Sequence, residues 1–523
     1  MKTLKAQGAE QIFPPFKAMS AQHGTKIASS LLERATAAIA VIAYIGLAVA
    51  SALTKRPWSD EGWFANAPLT LVNKGWMGTT VIEQAGHTFL RGIDRYTFWV
   101  MPLHLLLQAA WYRLFGFSLL SMRSISLTFG LLALASWFII TWSLSGSVRV
   151  GLLTLVLLAL DYNFIMASSF GRMDLMCGAL GAAGFASYLA LRERNLMLAI
   201  FLSNCFVVAS GMTHHLGLLA LVGLIFLILF FDRKRIQWRH VAIALIPYFV
   251  AAIAWSFYIM KSPSLFIAQL QGNATADNRL GTLVHPLTGL YREITERYLI
   301  GFGLGPHSVG NTGPVRLKGL ILLAYIAAFL GALAVKEIRS KKGYQALLLL
   351  AVIYFVTLTI WDGQKLTWYL IHVVPIYTSI LAVWVSWCWN RSVLPKWLLS
   401  VVIFGFVALQ VGGVLQRIRL DAYHRSFVPA AEFLKSHASN GLIIGSAELG
   451  FGLGSFDHLV DDSRLGFFSG KKPDFIVVEE VYRTEFDLMK RNHPDVYQHI
   501  DSMLANQYKK VYDHEFYEIY SLR

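Results

Sequence analysis

The stretch ATAAIAVIAYIGLAVASALTKRPWSDEGW, residues 35–63, joins a long uncharged run to a loop that holds two adjacent acids. Its first twenty residues carry no charged side chain, and a helix needs roughly 20 apolar residues to cross a bilayer. Asp60 and Glu61 follow shortly after, between Trp58 and Trp63. Because tryptophan is enriched where membrane helices meet water, the stretch predicts a spanning helix with an acidic pair at the membrane surface.

The rest of the chain shares this character. Of its 523 residues, 55% are hydrophobic and 15% are charged, whereas soluble domains carry about 25% charged residues. The mean hydropathy is +0.51, and uncharged runs recur along the sequence. The expected fold class is therefore an α-helical polytopic membrane protein. The net charge of +15 falls largely in short basic loops, as cytoplasmic retention and anionic headgroups require, so no nucleic-acid partner is implied.

The cysteines and the N-terminus indicate which kinds of site and segment to expect. Cys177, Cys205 and Cys388 lie far apart within or beside apolar runs, which argues against a disulfide framework or a cysteine-ligated metal. The polar lead before the first apolar run exceeds 30 residues, and the run itself is long for a cleavable signal. We therefore expect the first apolar segment to be a retained anchor.

About eleven spans are predicted, and the charge of the intervening loops orients them. The predicted spans are 35–54, 121–143, 149–167, 174–191, 196–212, 215–231, 240–260, 317–335, 345–361, 368–387 and 397–416. With the N-terminus in the cytoplasm, the basic loops fall on that side and the motif-bearing loops on the other. The predicted regions are a cytoplasmic segment 1–34, a transmembrane domain 35–416 with outer loops 55–120 and 261–316, and an outer domain 417–523.

One segment tests this orientation. Residues Met101–Phe117 form an apolar stretch that, as a span, would invert every later loop. The stretch is short and contains His104, Gln108 and Arg113. An amphipathic helix lying in the outer interface is the better interpretation.

The last hundred residues differ from the rest. NGLIIGSAEL, KPDFIVVEE and FYEIYSL are typical of short strands, while FVPAAEFLKSHAS and TEFDLMKRN favour helices or turns. These segments predict a small soluble α/β domain on the outer side.

Two acidic motifs could carry chemistry. Asp60 and Glu61 are either ordinary caps at a helix start or, on a water-filled face, a general base that takes a proton from a hydroxyl or amine. In SSFGRMDLM, Arg172 and Asp174 lie where one predicted span ends and the next begins. They form either an ionic cap or part of a cavity on the same side as Asp60.

Two further loops on that side hold cationic or titratable residues. DGQKLTWYLIHVVP supplies Lys365, Tyr369 and His372 before a span. The lysine either extends along apolar surface to reach water or neutralises a departing phosphate. In GMTHHLG, His214 and His215 are open to three interpretations, namely a metal site, a phosphate or substrate contact, and a plain interfacial turn.

Taken in order, these motifs resemble the membrane glycosyltransferases of the GT-C class, in the branch with bacterial aminoarabinose transferases and protein O-mannosyltransferases. The matching features are the acidic pair after the first span, the interfacial stretch ending RLFGFSLLSMRSIS, Arg172-x-Asp174, Lys365 and Tyr369 with Pro375 downstream, and the outer domain ending YEIYSLR. The resemblance covers nearly the whole length of the chain. No single motif is specific to the family, but the order of the motifs and their location on one side of the membrane are.

The resemblance implies a role for each matching residue. Asp60 would be the catalytic base, Glu61 would position or bind the acceptor, and Asp174 would be a second acid in the same cavity. Lys365 and Tyr369 would contact a polyprenyl-phosphate sugar donor near its phosphate. The implied reaction inverts the anomeric centre at the outer face of a bacterial cytoplasmic membrane. The acceptor would be a lipid, a glycan or a protein.

The chain departs from the family pattern ahead of the interfacial helix. Many relatives have a Pro-Pro or a basic residue followed by proline there, whereas this chain has Val100-Met101-Pro102, so Arg91 or Arg95 would have to supply the basic group. No cofactor is required by this chemistry, and a divalent cation remains an alternative. The expected substrate-binding set is Arg172, Lys365, Tyr369, His372, His214, His215 and Arg95.

Two rival functions stay open. A secondary transporter would show inverted repeats, broken helices and charges in mid-membrane. A lipid-linked oligosaccharide polymerase or ligase would keep the same architecture with a different partner.

Overall fold

The computed structural model describes residues 16–86, 90–275, 279, 285–305, 313–438 and 441–523. Parts of the predicted segment 1–34 and of the predicted loop 261–316 lie outside these residues. The helices are α1 (Phe16–Thr54), α2 (Ser59–Lys74), α3 (Pro102–Phe115), α4 (Leu119–Ser145), α5 (Val148–Ala159), α6 (Tyr162–Ser168), α7 (Met173–Leu191), α8 (Leu196–Thr213), α9 (Gly217–Asp232), α10 (Trp238–Ile259), α11 (Pro263–Thr275), α12 (Pro286–Arg292), α13 (Gly319–Ala334), α14 (Lys342–Trp361), α15 (Val374–Arg391), α16 (Lys396–Leu420), α17 (Val428–His437), α18 (Leu449–Leu453), α19 (Glu480–Asn492) and α20 (Pro494–Ser502).

Shorter turns connect some of these helices. They are the α-helical turns Gly313–Arg316 and Lys336–Arg339, the π-helical turns Glu293–Leu299, Tyr423–Phe427 and Met503–Gln507, and the 3₁₀ helix Thr367–His372.

The apolar helices account for every predicted span. Within the described residues, seven helices are long and apolar enough to cross a membrane, and eight if the bent pair of α5 and α6 counts as one. The shorter apolar helices α9 and α13, together with α15, cover the three predicted spans that remain. Helices thus lie at all eleven predicted spans, seven or eight of them are long and apolar enough to cross a membrane, and the chain is a multi-pass α-helical membrane protein.

The predicted span 149–167 is not continuous, which corrects the sequence prediction. Its helix ends at Ala159, and α6 starts at Tyr162 after a bend of 64°. Asp161 causes the break because its carboxylate accepts from the backbone N–H of Phe164 at 2.9 Å and so caps α6. The same carboxylate accepts from the Tyr325 hydroxyl at 2.7 Å, which keeps this buried acid hydrogen-bonded.

The segment after residue 101 forms helix α3, as predicted. Its buried face contains His104 and Gln108, whereas Leu106, Leu114 and Phe115 are exposed. Polar and apolar side chains are thus buried together, whereas Arg113 is exposed beside Leu114, so the placement of α3 in the membrane interface stays a prediction.

The C-terminal region forms a small five-stranded sheet, so the predicted α/β domain is confirmed. Its strand order is β2-β1-β3-β5-β4, with β1 parallel to β2 and β3, and β5 antiparallel to β3 and β4. The predicted strands correspond to β1, β3 and β5, and the sequence did not indicate β2 or β4. The strands are β1 (Ile443–Ile444), β2 (Leu459–Val460), β3 (Phe475–Val478), β4 (Tyr508–His514) and β5 (Tyr517–Leu522).

This domain packs directly against α2, the helix that carries the acidic pair. Phe64 of α2 shares one apolar cluster with Ala447 and Leu449 of the C-terminal domain. A Cβ atom at Gly62 would lie 2.3 Å from the carbonyl carbon of Ala447, so only glycine allows this approach. The sheet domain therefore covers the start of α2, where Asp60 lies.

Candidate active site

Glu61 joins three parts of the chain below the sheet domain. Its side chain is fully buried and accepts two hydrogen bonds from the Arg123 guanidinium, at 2.8 and 2.7 Å. It also accepts from the backbone N–H groups of Trp58 at 3.2 Å and Gly171 at 2.7 Å. Glu61 thus ties the start of α2 to α4 and to the loop before α7, and it has no exposed oxygen to offer a substrate.

Asp60, the neighbouring acid, points toward a different partner. The Arg172 guanidinium forms an ion pair with Asp60 and a second ion pair with Asp174 at 2.8 Å. Arg172 precedes α7 directly and Asp174 lies in its first turn. The structure therefore brings together the two acidic motifs, with one cation between their carboxylates. Asp60 keeps 17% of its side chain exposed, whereas the Asp174 side chain is almost completely buried.

Aromatic rings enclose this ion-pair cluster on one side. Trp58 packs against Trp368 and Phe170, with ring centroids 5.1 and 6.0 Å apart. The guanidinium carbon of Arg172 lies over the Trp368 ring at 4.9 Å. We call Trp58, Phe170 and Trp368 the aromatic wall.

The two histidines and Tyr369 lie around Asp174. The Nε2 atom of His214 is 4.0 Å from the Asp174 carboxylate, and the His214 and His215 rings are 4.1 Å apart. The Tyr369 ring lies 5.4 Å from that of His214 and 6.5 Å from that of His372. Five of the predicted site residues are thus gathered here, although they come from three separate loops.

Several buried polar atoms in this cluster have no hydrogen-bond partner among the described residues. They include one carboxylate oxygen of Asp174, both ring nitrogens of His104, Nε2 of His372 and Nε of Arg279. Buried polar atoms are normally satisfied by protein, water or ligand. Their concentration beside Asp174 is therefore what a polar binding site would show.

Burial determines which of these groups carry charge. It lowers the pKa of His104 to about 4 and that of His215 to about 4, and it lowers the pKa of His214 well below its ordinary value. These imidazoles are therefore neutral at pH 7 and act as hydrogen-bonding groups rather than as cations. Among the residues described around Asp174, the permanent positive charges come from Arg172 and Arg279, and both act on His214.

Lys365 lies differently from the sequence expectation. Its side chain is buried, and its ammonium contacts the Glu293 carboxylate at 3.1 Å and the carbonyl of Thr359 at 2.7 Å. Glu293 also binds Arg297 at 2.6 Å, and the Arg297 guanidinium lies 5.9 Å from the Tyr369 ring. Lys365 neither extends to water nor presents a free cation, because its charge is already paired. It supports Tyr369 through this network.

Arg95 is exposed and takes part in none of these contacts. Sequence reasoning also missed several residues that hold the site together, because most of their partners are distant in sequence. The Glu293–Arg297 pair alone had a local signal, the four-residue spacing of a helical ion pair in YREITERY. The missed residues are His104, Arg123, Arg279, Glu293, Arg297 and Asp362.

The donor set does not suit a divalent cation. Within the described part of the chain, no three His, Cys, Asp or Glu side chains are placed to hold one. Asp60 and Asp174 both direct an oxygen at Arg172, so a cation would have to displace a guanidinium from two carboxylates. We therefore derive no step through a metal.

A second acidic pair lies in the sheet domain near α2. Glu448 accepts a hydrogen bond from the Tyr517 hydroxyl at 2.6 Å and is fully buried. Burial, and then the neighbouring Glu479 carboxylate, raise the pKa of Glu448 to about 8, although Arg56 opposes this rise. The folded protein therefore holds a proton here that the unfolded chain releases at lower pH.

This proton makes stability depend on pH. Since the folded pKa of Glu448 exceeds the unfolded value of 4.5, its stabilising contribution is complete at low pH and is lost as pH rises through about 8. We expect the apparent Tm to fall between about pH 4.5 and about pH 8, and to fall less in Glu448→Gln. Glu432→Gln, an exposed change in the same domain, is the control. An equal fall in Glu448→Gln would contradict the assignment.

A helical membrane domain with a small C-terminal sheet domain defines the fold of the chain. The chain has the GT-C fold, the architecture of a class of membrane glycosyltransferases. Neither a protein-family model nor a curated protein sequence matches the chain.

Several solved structures have a similar architecture. ArnT from Cupriavidus metallidurans in the apo state is 15% identical, with a TM-score of 0.60, covering 94% of this chain and 98% of ArnT. ArnT bound to undecaprenyl phosphate is 14% identical, with a TM-score of 0.56 and coverage of 93% and 97%. The oligosaccharyltransferase AglB from Archaeoglobus fulgidus, in complex with an inhibitory peptide and a dolichol-phosphate, is 12% identical, with a TM-score of 0.56 and coverage of 90% and 71%. At these identities the likeness establishes the fold.

Proposed function

We propose that the chain is an inverting glycosyltransferase that moves a sugar from a polyprenyl-phosphate donor to an acceptor at the outer face of a bacterial cytoplasmic membrane. The observation that carries this proposal is the bridge of Arg172 between Asp60 and Asp174, below the sheet domain of a GT-C fold. A lipid-linked sugar cannot leave the bilayer, so its enzyme needs a polar site level with the lipid phosphates. The end of α1 contacts the loop between α6 and α7 through the Ser51 and Ser169 hydroxyls, and Arg172 at the end of that loop pairs with Asp60 of α2.

Asp60 is the general base in this proposal. It is the more accessible of the two bridged carboxylates, and it lies in the first turn of α2. A general base must come within hydrogen-bond reach of the proton that it removes. Arg172 orients the Asp60 carboxylate. The Arg172 guanidinium also pairs with Asp174, so it has a carboxylate on both sides.

The donor phosphate binds on the side of Asp174. Arg279 supplies the positive charge, while Tyr369 and the neutral His214 and His215 supply hydrogen bonds. Fixed cations and donors at a leaving phosphate stabilise the charge that develops there in the transition state. His372 and His104 carry unpaired ring nitrogens beside Asp174 and complete this polar pocket.

The reaction is a single displacement. The acceptor oxygen or nitrogen attacks the anomeric carbon of the sugar, on the face opposite the phosphate. The bond from that carbon to the phosphate oxygen breaks, and its electron pair leaves with the polyprenyl phosphate. The acceptor proton passes to Asp60, so atoms and charge balance without a cofactor.

Glu61 and Lys365 act as positioning residues. Glu61 holds the start of α2 through Arg123, and Lys365 holds Glu293 and, through Arg297, the turn that carries Tyr369. Their ion pairs leave no charge free for the substrate. Arg95 has no role in this scheme.

The similar structures support the class of donor. One is bound to undecaprenyl phosphate and another to a dolichol-phosphate, both of them polyisoprenoid phosphates. The latter structure also contains an inhibitory peptide. The two similar structures therefore do not decide the chemical class of the acceptor.

The proposal is tested with the purified full chain in lipid vesicles. The vesicles contain a lipid extract from the envelope of cells that express the chain, and mass spectrometry follows both free polyprenyl phosphate and newly glycosylated products. We expect polyprenyl phosphate to be released in step with one glycosylated product. Release of neither, or transport of a solute into sealed vesicles without any glycan product, would overturn the proposal and favour a transporter.

A further inference from the structure

Asp161 is a buried acid of the membrane domain that the proposed reaction does not use. Its carboxylate accepts from the backbone N–H of Phe164 at 2.9 Å and from the Tyr325 hydroxyl at 2.7 Å. The side-chain amide of Gln410 donates to the same carboxylate at 2.8 Å. Among the described residues, no lysine or arginine pairs with it. An acid within a membrane segment costs free energy and commonly has a function, so helix capping alone does not explain Asp161.

Gln410 joins the bend between α5 and α6 to α16. Its amide nitrogen donates to Asp161, and its amide oxygen accepts from the backbone N–H of Tyr162 at 2.9 Å. The backbone N–H groups at the start of a helix have no partner within that helix. Asp161 and Gln410 therefore satisfy two such groups of α6. Because Tyr325 belongs to α13, the start of α6 is tied to two other helices.

Helix α6 leads directly into the loop that holds Arg172. It spans seven residues and ends at Ser168, four residues before Arg172. A helix of this length is about 10 Å long, so removing a bend of 64° would move its far end by about 10 Å. The direction of α6 therefore decides whether Arg172 reaches Asp60.

The loop after α6 has little freedom to compensate for such a change. The Ser169 hydroxyl lies 2.9 Å from that of Ser51 in α1, and the backbone N–H of Gly171 donates to Glu61 of α2 at 2.7 Å. These contacts require the end of α6 to lie against α1 and α2. A change in the direction of α6 would therefore be passed on to Arg172.

We propose that Asp161 is a positioning residue of the transfer reaction, which fixes the direction of α6 together with Gln410 and so holds Arg172 between Asp60 and Asp174. The assignment rests on the proposed function for the reaction, and on the bend and its hydrogen bonds for the position. Apolar side chains would serve a purely stabilising role as well or better, because a buried acid without a cation costs free energy.

The position of the loop can be measured without turnover. In Ser51→Cys/Ser169→Cys, two thiols replace hydroxyls that are 2.9 Å apart, so mild oxidation of the full chain in nanodiscs should join them. Mass spectrometry of the joined peptides gives the yield. Adding Asp161→Leu should lower this yield by about fivefold or more, because losing a cap and two buried hydrogen bonds shifts an equilibrium by at least that factor.

The rate of transfer should change with the position. We expect Asp161→Leu to lower kcat by about 10²-fold, because a displacement of about 1 Å in an active site can cost this factor. The KM for the donor and the affinity for undecaprenyl phosphate should not change. A loss of stability alone would reduce the amount of folded protein and leave kcat per folded molecule as it was.

Exchange of the two polar side chains provides a rescue. Asp161→Asn sets one amide against another, and Gln410→Glu sets one carboxylate against another. In Asp161→Asn/Gln410→Glu the new amide can donate to the new carboxylate, which can also accept from the backbone N–H of Tyr162. Each single variant should lose cross-linking and transfer, and the double variant should regain most of both.

Asn204→Leu is the matched control. Asn204 is a buried polar residue of α8 that accepts from the Tyr248 hydroxyl at 3.0 Å, and its replacement should leave the cross-linking and the transfer unchanged. If the unaltered chain transfers no sugar, the proposed function fails, whereas the cross-linking yield still reports the position of the loop.

Three results would overturn the inference. Full cross-linking with lost transfer in Asp161→Leu would mean that Asp161 acts on the reaction by another route than position. Lost cross-linking with full transfer would mean that the reaction does not need this direction of α6. Loss of both in Asp161→Asn/Gln410→Glu, with the thermal transition of the unaltered chain, would mean that the hydrogen bonds at the bend do not set the position.

Discussion

Replacing Asp60 with Asn is expected to lower the rate of sugar transfer by about 10²–10⁴-fold, the contribution typical of a general base. Asparagine has almost the same shape, and its amide oxygen can still accept from Arg172, so the site should keep its geometry. What it loses is the ability to take the acceptor proton. The release of polyprenyl phosphate by the purified chain in vesicles measures the change.

The controls for Asp60→Asn separate catalysis from binding and folding. Undecaprenyl phosphate should bind with unchanged affinity, because the donor lies on the side of Asp174. Asp457→Asn removes an exposed acid of the sheet domain, whose one ion pair among the described residues is with Lys74, and should leave transfer unchanged. Transfer at the full rate by Asp60→Asn would remove the base from the mechanism and leave Asp174 as the remaining candidate.

The membrane architecture was predictable because it depends on local composition. A bilayer demands about 20 apolar residues for each helix, so every span left a signal in the sequence. The short strands of the sheet domain were partly visible for a similar reason, since β3 is an apolar run. Strand β4 was missed because its sequence, YKKVYDH, is polar at an exposed sheet edge.

The site was predictable as a set of loops but not as a set of contacts. Sidedness alone indicated that Asp60, Asp174 and Tyr369 would meet, and the structure brings them into one cluster through Arg172 and His214. Sequence could not show that Lys365 would be paired with Glu293, since 72 residues separate the two. Which charges are free and which are paired depends on tertiary packing. This distinction decides whether a charged residue can bind the substrate or only positions other residues.

That distinction also divides the basic residues near the site into two groups. Arg123 and Arg297 are buried against acids and hold the framework. Lys55, Lys318 and Arg417 have no described carboxylate partner and surround a cavity. Framework cations should therefore affect folding when they are replaced.

Replacing Glu61 with Gln tests the framework and is expected to destabilise the protein by about 3–5 kcal/mol, because it leaves the Arg123 charge buried and unpaired. The apparent Tm of the purified chain should fall by several degrees. A thiol-reactive dye can follow unfolding, since Cys177 and Cys388 are buried and free in the folded protein. Glu337→Gln is the matched control, because its pair with Arg391 is exposed and such pairs contribute about 0–1 kcal/mol.

The double variant Glu61→Gln/Arg123→Met shows whether the unpaired charge is the cause. A buried pair that is replaced on both sides costs much less than a pair broken on one side. We therefore expect the double variant to unfold at a higher temperature than Glu61→Gln alone. If Glu61→Gln unfolds like the unaltered chain yet loses transfer, Glu61 acts on the substrate itself, and its burial against Arg123 opens during the reaction.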